Sequence, residues 1–347
     1  MRFDFCIGNP PYQEEKHGGS NTSVPVFHYF MDAAYNLASV TELITPARFL
    51  FDGGMTPKHW NKKMLSNFHF KVMEYIPDSK LVFQNTSVNG GVVISYFDVN
   101  KEYRPILVFN IYPETNAILS KVLQTSFSFF DSIVSAVTEY QFSDLLFKEH
   151  PEVKEMLSVG NERVITSNLE KFLNIIFFLN KPIDGNCYVR VFCKLNSKRT
   201  YLWIDDRYLV KVPNFTHWKL FVASANGAAG VIGDSPASII GLPVVAEPFV
   251  AHNRTFLSIG NFSSSSCAYA CLKYLKSKFC RFLIGTLKVT NGLQKRVYAN
   301  VPIQDFTDKS DIDWSKSVHE IDLQLYKKYG LSEEEIQFIE EKVKPME

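Results

Sequence analysis

The first hundred residues alternate between short apolar runs and patterns of helical period. FDFCI at residues 3–7 is an apolar run that stops at Gly8-Asn9-Pro10-Pro11-Tyr12, which predicts a buried strand running into a proline-locked loop. Residues 14–22 are polar and glycine-rich. Thr22 or Ser23 then suits a helix N-cap with Pro25 in the first turn, and Val24, Phe27, Phe30, Met31 and Ala34 recur at helical spacing. VTELIT at 40–45 predicts a second strand that leads into the loop PARFLFDGG, and residues 56–67 predict a helix with Trp60 and Met64 inside. FKVMEYI at 70–76 and GGVVISYF at 90–97 predict further strands, and RPILVFNIY at 104–112 an edge strand. The alternation is that of an α/β sheet, and of half of one.

The pattern changes after residue 115. Short helical stretches mix with short strands such as CYVRVF at 187–192 and TYLWI at 200–204, an α+β arrangement. The expected organisation is therefore a first domain over 1–115 and a second over 116–347. In the tail, DLQLYKKYG ends a helix at Gly330. Ser332 and Glu335 then predict a capping box for a last helix with Ile336, Ile339 and Val343 inward.

Composition narrows this only slightly. A 46% hydrophobic and 21% charged chain of 347 residues is an ordinary globular one. A net charge of +1, from 37 basic against 36 acidic residues, neither demands nor excludes nucleic acid, because a basic groove can sit inside a balanced total. No stretch approaches the roughly 20 apolar residues of a membrane span. Asp4 interrupts the N-terminal apolar run, which is not the pattern of a secretory signal. The scattered cysteines, six in all, suit a reduced, cytoplasmic setting. Cys267 and Cys271 lie four apart on a predicted helix and could face a metal together. No matching Cys or His pair follows, so buried thiols is the preferred reading and no metal is expected. His28, His69 and His252 sit among apolar neighbours and read as core or interface histidines.

The chemistry concentrates at Asn9-Pro10-Pro11-Tyr12, at the C-terminal end of a strand, where open α/β sheets bind ligands. The exocyclic amine of adenine is a weak nucleophile because its lone pair is delocalised into the ring. Two acceptors, the Asn9 side-chain oxygen and the Pro10 carbonyl, can take its two N–H protons and favour a more tetrahedral nitrogen. The prolines fix φ and carry no N–H that would compete. Tyr12 offers a ring for a base to stack on. Catalysis of this kind is positioning, with no strong general base.

FDFCIGNPPYQ resembles the catalytic motif of the N6-adenine DNA methyltransferases of restriction–modification systems, in the group whose catalytic region precedes the target-recognition domain. ITPARFL at 44–50 is similar to the next strand and loop of that family, with Pro46 and Arg48 matching. KLVFQNTSVNGGVVISYF at 80–97 is similar to its aromatic motif. ANVPIQDF and YGLSEEEIQFIEEKVKPM resemble its C-terminal ends. The resemblance implies a partial Rossmann-like methyltransferase sheet followed by an α+β target-recognition domain. It implies methyl transfer from S-adenosylmethionine to adenine N6 in double-stranded DNA, with Asn9 and Pro10 holding N6. Tyr12 and Phe83 would stack on the extruded base, because N6 is engaged in pairing inside a duplex. The family carries its S-adenosylmethionine site ahead of the catalytic motif, and no strand, glycine turn and acidic residue stand before Asn9 here. The cofactor half is thus expected outside these residues, the chain being the second piece of a split enzyme, the product of an internal start at Met1 or a truncated relic. A non-catalytic DNA-recognition subunit or inactive remnant is the alternative; a third reading, another amine-methylating enzyme acting on a protein glutamine or on RNA, is disfavoured by the long segment beyond residue 115.

Three basic clusters are candidates for DNA contact: Lys194, Lys198 and Arg199; Lys273, Lys276 and Arg281 on one predicted helix; and Lys288, Lys295 and Arg296 flanking Asn291 and Gly292. Each also reads as a solvated charged surface.

Overall fold

The computed structural model describes every residue except 1, 15–23, 52–54, 85–87, 89, 104, 107, 111, 227–231, 234, 289–291 and 347. The chain divides into two compact units, Met1–Ser120 and Lys121–Glu347.

The first unit is mixed α/β. Strand β1 (Phe3–Gly8) leads through the proline turn to helix α1 (Phe27–Leu37), and β2 (Ala38–Pro46) to α2 (Lys58–Leu65). Two more strands follow, β3 (Phe70–Ile76) and β4 (Val92–Asp98). The sheet order is β1-β2-β4-β3, with β1 parallel to β2 and β4 antiparallel to both its neighbours. One face of this sheet is covered. Phe27, Met31, Ala34 and Tyr35 of α1 and Trp60 and Met64 of α2 form a buried cluster with Leu43, Phe70, Val93 and Phe97. Each of the larger side chains among them contributes about 1.5–3 kcal/mol by leaving water. Asp32 ties the two helices together, accepting from Trp60 Nε1 at 3.1 Å and from Lys63 Nζ at 3.0 Å.

Three expectations are corrected here. The run FDFCI forms a strand, but not a buried one. Side chains alternate across a strand, and while Cys6 packs against the cluster, Phe3, Phe5 and Ile7 are 58%, 69% and 81% exposed. The apolar run carries residues for two covered faces, and only one is covered. Helix α1 begins at Phe27 with Val26 at the cap, so Pro25 precedes the helix. Thr22 and Ser23 lie outside the described residues. None of the described residues of 104–112 is in a strand; Phe109 instead packs edge-on against Phe51 and Tyr75.

The second unit opens with α3 (Pro113–Thr125), which crosses the boundary, and the short helices α4 (Asp144–Glu149) and α5 (Pro151–Glu155). Strands β5 (Tyr188–Leu195) and β6 (Lys198–Asp205) form a hairpin. Then come β7 (Trp218–Ala223), β8 (Val244–Ala246), β9 (Val250–His252) and β10 (Phe256–Phe262). They build two three-stranded sheets, β10-β7-β8 and β6-β5-β9, with β9 parallel to β5. The helices α6 (Ser265–Lys276), α7 (Lys278–Leu287), α8 (Val318–Lys328) and α9 (Glu333–Lys342) complete it.

The basic segment 272–281 reads as one helix but is two. Ser277 adopts an extended backbone and caps α7, accepting from Cys280 N–H at 3.1 Å, while buried Asp322 accepts from the N–H groups of Lys278 and Phe279 at 3.0 and 2.9 Å. These acceptors satisfy donors that a new helix start leaves open. The tail follows its sequence. Gly330 takes a φ of +61° just past α8, with Gly330 N–H donating to Lys327 O and Leu331 N–H to Tyr326 O. Ser332 and Glu335 form the capping box of α9, and Ser317 and Glu320 form a second one at α8.

Candidate catalytic turn and nucleic-acid face

The Asn9–Tyr12 turn leaves the C-terminal end of β1, with Asn9 and Pro11 exposed and Pro10 and Tyr12 half-buried. It is anchored on the segment that enters α1. Val26 N–H donates to Tyr12 O at 3.1 Å, and Glu14 N–H to Val24 O at 3.0 Å. The Tyr12 ring stands edge-on to Phe83, with centroids 6.4 Å apart and planes 74° apart. The turn and the Phe83 loop, distant in sequence, therefore meet at one place. Burial pushes the Tyr12 hydroxyl up to about 12, and it has no hydrogen-bond partner, so it stays protonated.

Phe83 is held by a short network. Asp78 caps the turn at Lys80 N–H (3.1 Å). Ser79, almost fully buried, accepts through its carbonyl from Phe83 N–H at 2.8 Å and through its hydroxyl from Val88 N–H at 2.7 Å. The Val88 carbonyl takes Gly91 N–H, and the Gly91 carbonyl takes Ala47 N–H at 3.1 Å. Gly90 and Gly91 have φ of +88° and +77°, and side chains there would strike Arg48 Cγ at 2.5 Å and Ile76 O at 2.4 Å. Pro46 is buried and Arg48 half-buried, its aliphatic stem lying over Gly90. The loops after β2 and before β4 are thereby interlocked. Ser79 was not singled out in the sequence; a serine after Pro77-Asp78 is the only local sign of this turn chemistry.

The residues described here do not fit S-adenosylmethionine. Gly53 and Gly54 lie outside the described residues, and Gly90-Gly91 leads into a strand rather than a helix. No described glycine-rich turn leads from a strand into a helix, and Gly18 and Gly19, between β1 and α1, lie outside the described residues. Among the described residues no group of His, Cys, Asp and Glu is arranged to hold a metal, and no helix is long and apolar enough to cross a membrane.

The basic candidates separate into two kinds. Lys273 donates to the carbonyls of Trp314, Ser315 and Lys316 at 2.8, 3.2 and 2.8 Å, binding a loop of its own unit. Lys288 is buried with Nζ 2.6 Å from the Ile239 carbonyl, and desolvation lowers its ammonium to about 8. Arg281 is fully buried and donates to the carbonyls of Lys276, Ser277 and Ser238. Lys288 and Arg281 serve the interior, a correction to their reading as surface cations, while Lys273 is half-buried and held by the Trp314 loop. Lys276 is half-buried on α6. Lys194, Lys198, Arg199, Lys295 and Arg296 are exposed. Asn291 lies outside the described residues.

Residues 1–83 match the family described as Eco57I restriction-modification methylase. A segment of 113 residues, 32% of the chain, is 30% identical to a protein of Mycoplasma pneumoniae described as an uncharacterized adenine-specific methylase. The match spans about a quarter, 26%, of that relative's length. The likeness to the restriction–modification methylases thus extends from the Asn9–Tyr12 segment over residues 1–83, which carry β1, β2 and β3.

Proposed function

We propose that the chain carries the adenine-binding part of a restriction–modification methyltransferase that acts on N6 of adenine in double-stranded DNA. The observation that supports this most is the meeting of the Asn9–Tyr12 turn with Phe83. Asn9 Oδ1 and the Pro10 carbonyl accept the two N–H protons of the amine and direct its lone pair out of the ring plane. With two such acceptors fixed by prolines, the nitrogen gains nucleophilicity without a base, which suits the protonated state of the Tyr12 hydroxyl. Tyr12 and Phe83 flank the extruded base. Their present edge-on relation requires one ring to turn before a base can stack between them.

The methyl donor of this reading is S-adenosylmethionine, held by residues other than those described here. The exposed apolar face of β1 supports a covering layer supplied by residues other than those described here, since strands of parallel sheets are normally covered on both faces. The sheet order and the lone antiparallel strand β4 agree with the second half of a Rossmann-like methyltransferase sheet.

The test uses the organism that carries the gene. Asn9→Ala is placed on the chromosome and N6-methyladenine in genomic DNA is mapped by mass spectrometry and sequencing. The reading expects one methylated sequence to vanish while the protein remains present. Unchanged methylation with normal protein levels would refute it and favour a DNA-recognition subunit without catalysis, the second reading that the missing donor cradle leaves open.

A further inference from the structure

A cavity of about 580 Å³ opens between α7, α8, α9 and the segment that follows α9, all within the second unit. That size is ordinary for a small-molecule site. Arg281 and Asp322 line it, and both are withdrawn from water, at 0% and 2% exposure. The guanidinium is only partly satisfied. Its Nε donates to the carbonyls of Lys276 and Ser277 and its Nη1 to that of Ser238, but Nη2 has no hydrogen-bond partner. Among the described residues it is the one buried lysine or arginine nitrogen left in that state. Buried Lys219, by contrast, donates to the carbonyls of Phe215, His217 and Glu247. A buried charged donor without an acceptor is costly, so an oxygen offered from the cavity is strongly favoured at Nη2.

The opposite charge in the cavity is Asp322. Its two oxygens accept the N–H groups of Lys278 and Phe279, and each keeps a further lone pair. Among the described residues no ion pair joins it to Arg281. Burial accordingly pushes the Asp322 carboxyl up to about 6 and the Arg281 guanidinium down to about 10. The second carboxylate, Glu340, is already satisfied, because Lys278 Nζ and Tyr326 OH donate to it at 2.5 and 2.9 Å. Val318, Pro345 and Met346 give the cavity an apolar wall. One unspent donor charge, one carboxylate with room for a donor and an apolar wall therefore share a single space.

We propose that this cavity binds a small apolar α-amino acid as its zwitterion, with the carboxylate on Arg281 Nη2, the ammonium on Asp322 and the side chain against Val318, Pro345 and Met346. A simple anion would meet Arg281 but face Asp322, and a simple cation the reverse. A ligand that carries both signs close together satisfies the two, and in an α-amino acid a single carbon separates them. A peptide end brings only one of the charges. A charged side chain would find no partner on the apolar wall. The site lies wholly in the second unit and requires nothing of the Asn9–Tyr12 turn.

The test is isothermal titration calorimetry of the full chain at neutral pH with L-leucine, with isocaproate, which lacks its amine, and with isoamylamine, which lacks its carboxylate. Leucine is expected to bind saturably and each analogue on the order of tenfold or more weaker, because each leaves one buried charge unpaired. Arg281→Gln is expected to weaken leucine binding to a similar degree. Val318→Trp, at the half-buried first position of α8, is expected to fill the apolar wall and remove binding while the unfolding midpoint stays near that of the parent. This second variant decides the matter even where Arg281→Gln fails to fold. No saturable heat from leucine, isoleucine, methionine or phenylalanine at millimolar concentration would overturn the proposal. So would equal binding of leucine and either analogue, or unaltered leucine binding in folded Arg281→Gln or in Val318→Trp.

Discussion

Phe83 shows how a single side chain gains meaning from its surroundings. In sequence it is one of 29 phenylalanines. In the structure Ser79 fixes its backbone and Tyr12 faces its ring. Stacking of a base on an aromatic ring is worth roughly 1–3 kcal/mol, so Phe83→Ala is expected to lower kcat/KM for methylation by about 10–100-fold. Phe83→Trp should retain most of the activity, and equal losses in both would argue against stacking. His252 gives a pH prediction. It is buried between Tyr140 and Phe221, and desolvation lowers its imidazole to about 4 from the ordinary 6.5. The unfolded state then binds the proton more readily than the folded one. Its contribution is present above pH 6.5 and is lost as pH falls toward 4, about 3 kcal/mol in all. Urea unfolding of His252→Gln between those pH values should show a correspondingly flatter pH dependence than the parent. An identical dependence would mean that other groups govern acid unfolding.

At the scale of elements, β1 and α9 make opposite points. The apolar run of β1 implies burial, yet Phe5 is mostly exposed. Phe5→Ser is therefore expected to shift the unfolding free energy of this chain by no more than about 0.5 kcal/mol, whereas Phe70→Ala, fully buried on β3, should cost about 3–5 kcal/mol. A large loss from Phe5→Ser in urea titrations would show that the outer side of β1 is covered in solution. Helix α9 has its start written in four residues, Ser332 to Glu335, and Ser332→Ala should cost about 1 kcal/mol. The break between α6 and α7 needed more than local pattern. Ser277 marks the cap, but Asp322, far along the chain, completes it.

For the whole molecule the division at Ser120 separates a unit that bears the candidate chemistry from one that bears the exposed cations Lys194 and Lys198. The described residues form no cradle for S-adenosylmethionine, so calorimetric titration of the chain with that compound is expected to give no heat up to millimolar concentration. Clear saturable heat would place a donor site within these residues and require a different account of the first unit. Net charge is uninformative at this scale. A total of +1 hides ion pairs such as Arg190 with Glu247 beside exposed cations such as Lys194 and Lys198.

The sequence by itself determined what local physics can encode. Period-two and helical apolar patterns set β3 to within a residue and located β1, β2, β4, the hairpin strands and the final helix. The fixed φ of two prolines and the acceptors beside them identified the Asn9–Tyr12 turn. Tertiary structure decided what depends on distant partners. It exposed β1, kept the described residues of 104–112 out of any strand with Phe109 packed on Phe51 and Tyr75, and joined Phe83 to Tyr12. It also withdrew Arg281 and Lys288 into the interior and tied half-buried Lys273 to a distant loop, while leaving Lys194, Lys198 and Arg254 free. A lysine's sequence neighbours do not say which carbonyls will surround its ammonium, because those carbonyls arrive from residues as far away as Ile239 and Trp314, and only the folded chain brings them there.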